Sequence, residues 1–185
     1  IIGVNVGSEL IFDNIDPMEF GYEGNSDGSY RLIHNIPGMW ILEQCRNIWA
    51  SDRSIDIDYD VIFENAERCK RTSIIDPYWQ GFTYPDNMVD AIAEFCRETG
   101  QSIPETPAEI TRSILEGLAK SYADAINKLR KITGLPLTDM VVVGGGSRNT
   151  LLNTLTSETA NIKITQGPVE ASILGNITNQ LTVQK

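Results

Sequence analysis

From Thr106 to Gly134 the apolar residues Ile110, Ile114, Leu115, Leu118, Tyr122, Ile126 and Leu129 recur three or four positions apart. That spacing lines one face of an α-helix and predicts a stripe packed into a core. The start of the helix is marked by Thr106-Pro107-Ala108-Glu109. There the threonine can cap, the proline suits the first turn and the glutamate can bond back to the cap. A shorter helix is expected from about Asp86 to Arg97, stopping near Gly100. Beyond Pro136 the pattern changes to an apolar run from Met140 to Val143, three glycines from Gly144 to Gly146, and a helical stretch from Asn149 to Glu158. A second apolar run from Ile162 to Thr165 and a last helical stretch from Glu170 to Leu181 follow. Strand, loop, helix, strand, helix is an α/β arrangement.

The first half of the chain is less regular. It opens on Ile1-Ile2-Gly3-Val4, which suits a strand entered in mid-fold and gives the impression of a fragment. Between Asp13 and Ser29 the residues are rich in Asp, Asn, Gly and Pro, which predicts a loop. A helical pattern then runs through Ile36, Trp40, Ile41, Cys45 and Ile48, with Pro37-Gly38 either starting or kinking it. Residues 52 to 85 read as irregular, their Asp76-Pro77 and Tyr84-Pro85 steps and aromatic side chains suggesting an extended surface or substrate-side segment. With no internal repeat and no convincing linker, the chain is expected to form one domain.

At 185 residues and 41% hydrophobic content, the chain can bury one substantial core. A formal charge of -10 would repel the phosphates of nucleic acids and anionic lipids, so neither nucleic acid nor membrane is expected as a partner. The same charge would repel ATP at long range, so any nucleotide contact must come from local backbone donors, cations or a bound metal. The three cysteines, Cys45, Cys69 and Cys96, form no C-x-x-C pair, and His34 is the single histidine, so no zinc set is expected. They read as reduced thiols of a cytoplasmic protein. No apolar run approaches the roughly 20 residues needed to cross a bilayer.

The sharpest chemical signal is Val141-Val142-Val143-Gly144-Gly145-Gly146-Ser147-Arg148-Asn149. Glycines let a backbone approach a ligand closely, and a following helix N-terminus offers free N–H donors to an anion. A nucleotide would fit there; a tight strand-to-helix turn is the purely structural alternative. A P-loop is excluded, because no Gly-Lys-Ser/Thr occurs. The dinucleotide fingerprint G-x-G-x-x-G fails at its third glycine, where Asn149 stands, which leaves an NAD-binding oxidoreductase domain as a weak alternative. A non-catalytic sugar- or nucleotide-binding module is another. In the segment Gly167 to Asn176, the small residues Ala171, Ser172 and Gly175 either line a cleft behind the nucleotide or merely pack. Glu170, at the expected helix start, suits the helix dipole without any catalytic role. If the stretch from Gly28 to Glu43 is largely helical, Asn35 and Glu43 project within about one quadrant, two turns apart, and could reach two ligands in one cleft. His34 alone is not expected to bind metal or to act in catalysis.

Taken in order, these segments resemble the rhamnulokinase branch of the FGGY carbohydrate kinases. The resemblance rests on Glu23-Gly24, Gly28, Tyr30-Arg31, Asn35-Ile36, Gly38 and Trp40, on the Gly144 to Asn149 loop with Leu151, Leu152 and Asn153, and on Gly167 to Asn176. The stretch from Phe95 to Glu105 is similar too. What it implies is an actin/hexokinase-like (ribonuclease H-like) ATPase lobe, an α/β fold and incomplete here. The parent enzyme would phosphorylate the 1-hydroxyl of a ketose, L-rhamnulose first and L-fuculose or another deoxyketose as the alternative, using ATP and Mg2+. The resemblance places Asn35 on the sugar side, Glu43 where a glutamine contacts ATP, and Gly144, Gly145, Gly146 and Asn149 against the nucleotide. Glu43 departs from glutamine, His34 stands where lysine is common, and Pro37 is a further departure. The family's G-T-W-S phosphate-binding turn and catalytic aspartate would both precede Ile1. The chain would then be a C-terminal lobe over residues 1 to 185, holding no catalytic residue and inactive without its N-terminal lobe.

Overall fold

A computed structural model describes residues 1–8, 15–51, 55, 58–70 and 73–183, with the side chains of 182 and 183 left out. In chain order the elements are β1 (Ile2–Gly7), β2 (Phe20–Gly24), β3 (Tyr30–His34), α1 (Trp40–Trp49), α2 (Tyr59–Arg68) and α3 (Met88–Glu98). They continue with α4 (Pro107–Thr133), β4 (Asp139–Val142), α5 (Thr150–Ala160), β5 (Lys163–Gln166) and α6 (Ala171–Val183). The chain divides into two compact units, Ile1–Ile36 with Tyr122–Lys185, and Pro37–Ser121.

In the first unit β1, β3 and β2 form an antiparallel sheet in that order, with Val4 opposite Leu32 and Leu32 opposite Tyr22. The alternation of strand side chains sends Phe20 and Leu32 onto Leu129 of α4, where Val4, Val6 and Ile132 close the cluster. β4 and β5 pair in parallel, Asp139 opposite Lys163 and Val142 opposite Gln166. Their Met140 and Ile164 pack with Ile2 onto Ala123, Ile126, Ala160 and Ile162. α4 stops at Gly134, whose φ of 68° suits glycine and whose N–H donates to the Arg130 carbonyl. The Arg130 guanidinium then donates to the carbonyls of Pro136, Ala160 and Leu137, so one side chain ties the turn that leads into β4 to the end of α5.

In the second unit the Thr106–Glu109 capping box forms as its sequence predicts. The Thr106 hydroxyl accepts from the Glu109 N–H at 3.2 Å, and the Glu109 carboxylate accepts from the Thr106 N–H at 3.0 Å. The stripe of α4 is buried at Ile110, Ile114, Leu115 and Leu118 in this unit, and at Ile126 and Leu129, with Tyr122 half-buried, in the part of the helix that belongs to the first. Asn87 caps α3 by accepting from the N–H groups of Val89 and Asp90. The backbone at Ile75 crosses α4 so closely that a Cβ on Gly117 would lie 1.7 Å from the Ile75 carbonyl oxygen. Glycine is therefore the residue that lets this segment dock, and the Ile75 N–H donates to the Ser113 carbonyl.

Three sequence expectations are corrected. The segment expected to be largely helical from Gly28 to Glu43 begins as strand β3, and the helix starts only at Trp40, after Pro37-Gly38. Proline disfavours helical backbone at Ile36 and removes a donor, which ends any helix attempted across it. The expected loop from Asp13 to Ser29 contains β2, and the expected irregular stretch contains α2 and a short 3-10 turn at Gln80–Phe82. Positions 13, 14, 52–54, 56, 57, 71 and 72 within these stretches lie outside the described residues. The α/β segment after Pro136 stands as expected. Among the described residues Cys45, Cys69 and Cys96 are free thiols, and no helix is long and apolar enough to cross a membrane.

Candidate functional site

The glycine loop lies in the first unit, between the end of β4 and the start of α5. Its entry is held by two backbone bonds: the Gly167 N–H donates to the Val142 carbonyl at 2.8 Å, and the Gly144 N–H donates to the Pro168 carbonyl at 3.2 Å. Gly167 is a packing glycine, since a Cβ there would come within 2.8 Å of the Val143 side chain. Gly144 has φ 80° and ψ -171°, a backbone conformation open essentially to glycine alone. The chain then makes a 3-10 turn over Gly145–Arg148 before α5 begins.

Gly145 and Gly146 are different. Both are exposed, neither has a positive φ, and a Cβ built on either would meet nothing within 4 Å. The fold gives no reason for glycine at these two positions. Their backbone is left open to close approach.

Asn149 is 5% exposed and serves as the N-cap of α5, its side-chain oxygen accepting from the Leu152 N–H at 2.9 Å. Its side-chain nitrogen is buried and has no hydrogen-bond partner among the described residues. The position where a dinucleotide fingerprint would have its third glycine is therefore occupied by a helix cap. Two residues that sequence reasoning passed over complete the turn. The Ser147 N–H and hydroxyl both donate to the Gly144 carbonyl, at 3.1 and 2.7 Å, and the Asn153 amide donates to the Ser147 carbonyl at 3.0 Å. Their signal was a hydroxyl residue inside the turn and an amide one helical turn past the cap.

The remaining candidates are not gathered with the loop on one element. Asn35 lies exposed in the segment that follows β3, in the first unit, and Glu43 lies on α1, in the second. They do not share a helix face, which corrects the quadrant argument. Glu43 accepts from the Tyr59 hydroxyl and from Arg46, whose guanidinium donates at 2.8 Å and stands 3.7 Å from the centre of the Tyr59 ring. The Tyr59 hydrogen bond first, and the Arg46 bond next, hold the Glu43 carboxyl below its usual range. Arg46 thus offsets the charge that distinguishes Glu43 from glutamine. His34 is buried on β3, within 2.6 Å of the Glu19 carbonyl through Nδ1 and tilted against Phe20. Gly175 on α6 has nothing within 4 Å of a built Cβ, so packing among the described residues does not account for it. Among the described residues no three His, Cys, Asp or Glu side chains come together as a metal site.

Residues 7–182 match the FGGY family of carbohydrate kinases, C-terminal domain, whose fold is the actin/hexokinase-like ATPase lobe. The chain is 38% identical over 178 residues to a rhamnulokinase of Bacteroides thetaiotaomicron, covering 96% of this chain and 36% of that protein. Rhamnulokinases of Enterobacter sp. (strain 638) and Lactiplantibacillus plantarum are also 38% identical, each over 86% of this chain and 32% of their own length. The chain spans about a third of the length of these relatives.

Proposed function

We propose, given that this chain belongs to the FGGY family of carbohydrate kinases, that it supplies the nucleotide side of an enzyme transferring the γ-phosphate of ATP to the 1-hydroxyl of L-rhamnulose. The observation that carries the nucleotide assignment is the pair Gly145 and Gly146, glycines with open space where a side chain would stand and no backbone need for glycine. Gly144 turns the chain, and the next two residues leave room for the nucleotide. In a family of sugar kinases that ligand is ATP. Its phosphates would be met by backbone donors rather than by the side chains of a net acidic protein.

The described residues offer no ready-made cage of carboxylates for a magnesium ion. The tasks of this chain are to bind and orient the nucleotide. Asn35 is assigned to the sugar, because its amide offers both donors and an acceptor to hydroxyl groups. Glu43, with Arg46 and Tyr59 around its carboxylate, stands where the resemblance implies a glutamine that contacts ATP.

The test is a coupled assay of ADP release with Mg-ATP and either L-rhamnulose or L-fuculose, run on the complete gene product and on residues 1 to 185 alone. Turnover with L-rhamnulose by the complete protein and none by the 185 residues is expected. General-base assistance contributes about 10²- to 10⁴-fold, and the resemblance puts that base outside these residues. Asn35→Ala in the complete protein should raise the ketose KM about tenfold, the equivalent of one hydrogen bond. Preference for L-fuculose would replace the sugar. Absence of ketose-dependent turnover in the complete protein would overturn the kinase reading.

A further inference from the structure

We infer that Ser147, backed by Asn153, is a positioning residue that holds the Gly144–Gly146 loop in its open shape before the nucleotide arrives. This rests on the nucleotide reading of the same loop. Three consecutive glycines would otherwise be the most freely moving stretch of backbone in the first unit, because glycine has the widest conformational range of any residue. A loop that moves must be ordered by its ligand, and that cost is subtracted from affinity.

Ser147 removes that freedom. It is fully buried, although Gly146 and Arg148 on either side of it are exposed. Its N–H and its hydroxyl converge on one acceptor, the Gly144 carbonyl, at 3.1 and 2.7 Å. Gly144 is in turn bonded through its N–H to the Pro168 carbonyl, and the Ser147 carbonyl is held at 3.0 Å by the Asn153 amide from the first turn of α5. The loop is therefore fixed at Gly144 and at Ser147, leaving only Gly145 and Gly146 between the two anchors. Helix capping does not require this arrangement, since Asn149 alone accepts from the Leu152 N–H. Among the described residues the hydroxyl of Ser147 has one partner, and that partner belongs to the loop. Removing it leaves a small apolar side chain in a buried place, which the fold tolerates better than the loop's geometry does.

The experiment compares the complete gene product with Ser147→Ala and Asn153→Asp. Asn153→Asp keeps size and shape at a half-buried position while removing the donor to the Ser147 carbonyl. Steady-state kinetics are measured by varying ATP at saturating L-rhamnulose and then the reverse, with ATP affinity measured separately by calorimetry. The expected result is an ATP KM and Kd raised about tenfold in Ser147→Ala, equivalent to about 1.4 kcal/mol, with the ketose KM within twofold and kcat at saturating ATP little changed. Asn153→Asp should move the ATP KM in the same direction. A purely structural role would lower active protein without separating the two KM values. An unchanged ATP KM in either folded variant, or ATP and ketose KM values moving together, would overturn the inference while leaving the kinase reading in place. If Ser147→Ala does not fold, Asn153→Asp carries the same comparison. A wild-type protein that neither binds ATP nor turns it over would remove the kinase reading and the positioning role together.

Discussion

Replacing each of the first two loop glycines by alanine should separate a residue required by the fold from one required by the ligand. Gly144 has φ 80° and ψ -171°, where an L-residue is strained by about 1–3 kcal/mol. Alanine there should lower stability by that amount or force the loop into another shape, even though the added methyl would meet no atom within 4 Å. Gly145 has no positive φ and the same open surroundings. Alanine there restricts the unfolded chain without straining the folded one, so stability should be unchanged or higher by about 0.4–1 kcal/mol. If that open space belongs to the nucleotide, the methyl intrudes on it. Overpacking of a close contact costs roughly 1–3 kcal/mol, or about thirtyfold in Kd at the middle of that range. Denaturant unfolding and ATP calorimetry on the two variants of the complete protein read both quantities. The reasoning fails if Gly145→Ala binds ATP as the unsubstituted protein does, or if Gly144→Ala costs no stability.

Two further outcomes test the second unit. Gly117→Ala would place a methyl 1.7 Å from the Ile75 carbonyl oxygen and 3.1 Å from its nitrogen. The alanine gain in helix propensity, about 1 kcal/mol, should be overwhelmed by displacement of the Ile75 segment, for a net loss of about 2 kcal/mol or more in urea unfolding. A more stable variant would show that the crossing is not that close. Burial pushes the Cys45 thiol up to about 12 from its ordinary 9.0, and burial raises Cys96 as well. At pH 8 iodoacetamide should therefore modify the half-buried Cys69 and spare Cys45, because the thiolate is the reacting form. The folded pKa of Cys45 lies above the unfolded one, so its contribution to stability is complete below about pH 9 and declines as pH rises toward 12. Peptide mass mapping that finds Cys45 alkylated as fast as Cys69 would contradict this.

How far the fold could be read depended on whether local signals agreed. At α4 the capping box, the proline at the first turn, the apolar stripe and Gly134 all point to one helix, and the helix runs from Pro107 to Thr133. At β3 they conflict. Leu32 and His34 are both buried, the alternation of a strand, but a histidine does not read as an inward residue and Ile33 breaks the contrast. The apolar residues from Ile36 onward then drew the helix too far back. The correct stop was present in Pro37, since the residue before a proline is biased away from helical backbone. α2 was missed for another reason. Its ten residues bury only Ile62 and Ala66 and carry three acidic side chains, Asp60, Glu64 and Glu67, with a fourth, Asp58, capping it. Tyr59, Ile62, Phe63 and Ala66 do stand at helical spacing, but over only ten residues, and the proline steps and aromatics further along outweighed them; Asp58 caps the start by accepting from the Asp60 N–H.

The candidate site shows where a sequence signal stops carrying information. Three adjacent glycines announce a backbone freed of side chains, yet nothing in the letters says whether the freedom serves a turn or a ligand. The backbone angles and the surrounding space divide them: Gly144 serves the turn, while Gly145 and Gly146 serve no need of the fold. Ser147 was legible as a residue type and not as a role, because its value depends on two donors converging on the Gly144 carbonyl across three positions. The same holds for Glu43. As a letter it adds a negative charge where a nucleotide was expected, but Arg46, one helical turn away, and Tyr59, which comes from α2, surround that carboxylate. Charge balance at this position is therefore a property of α1 and α2 together, and an element missed from the sequence is what made the glutamate look out of place.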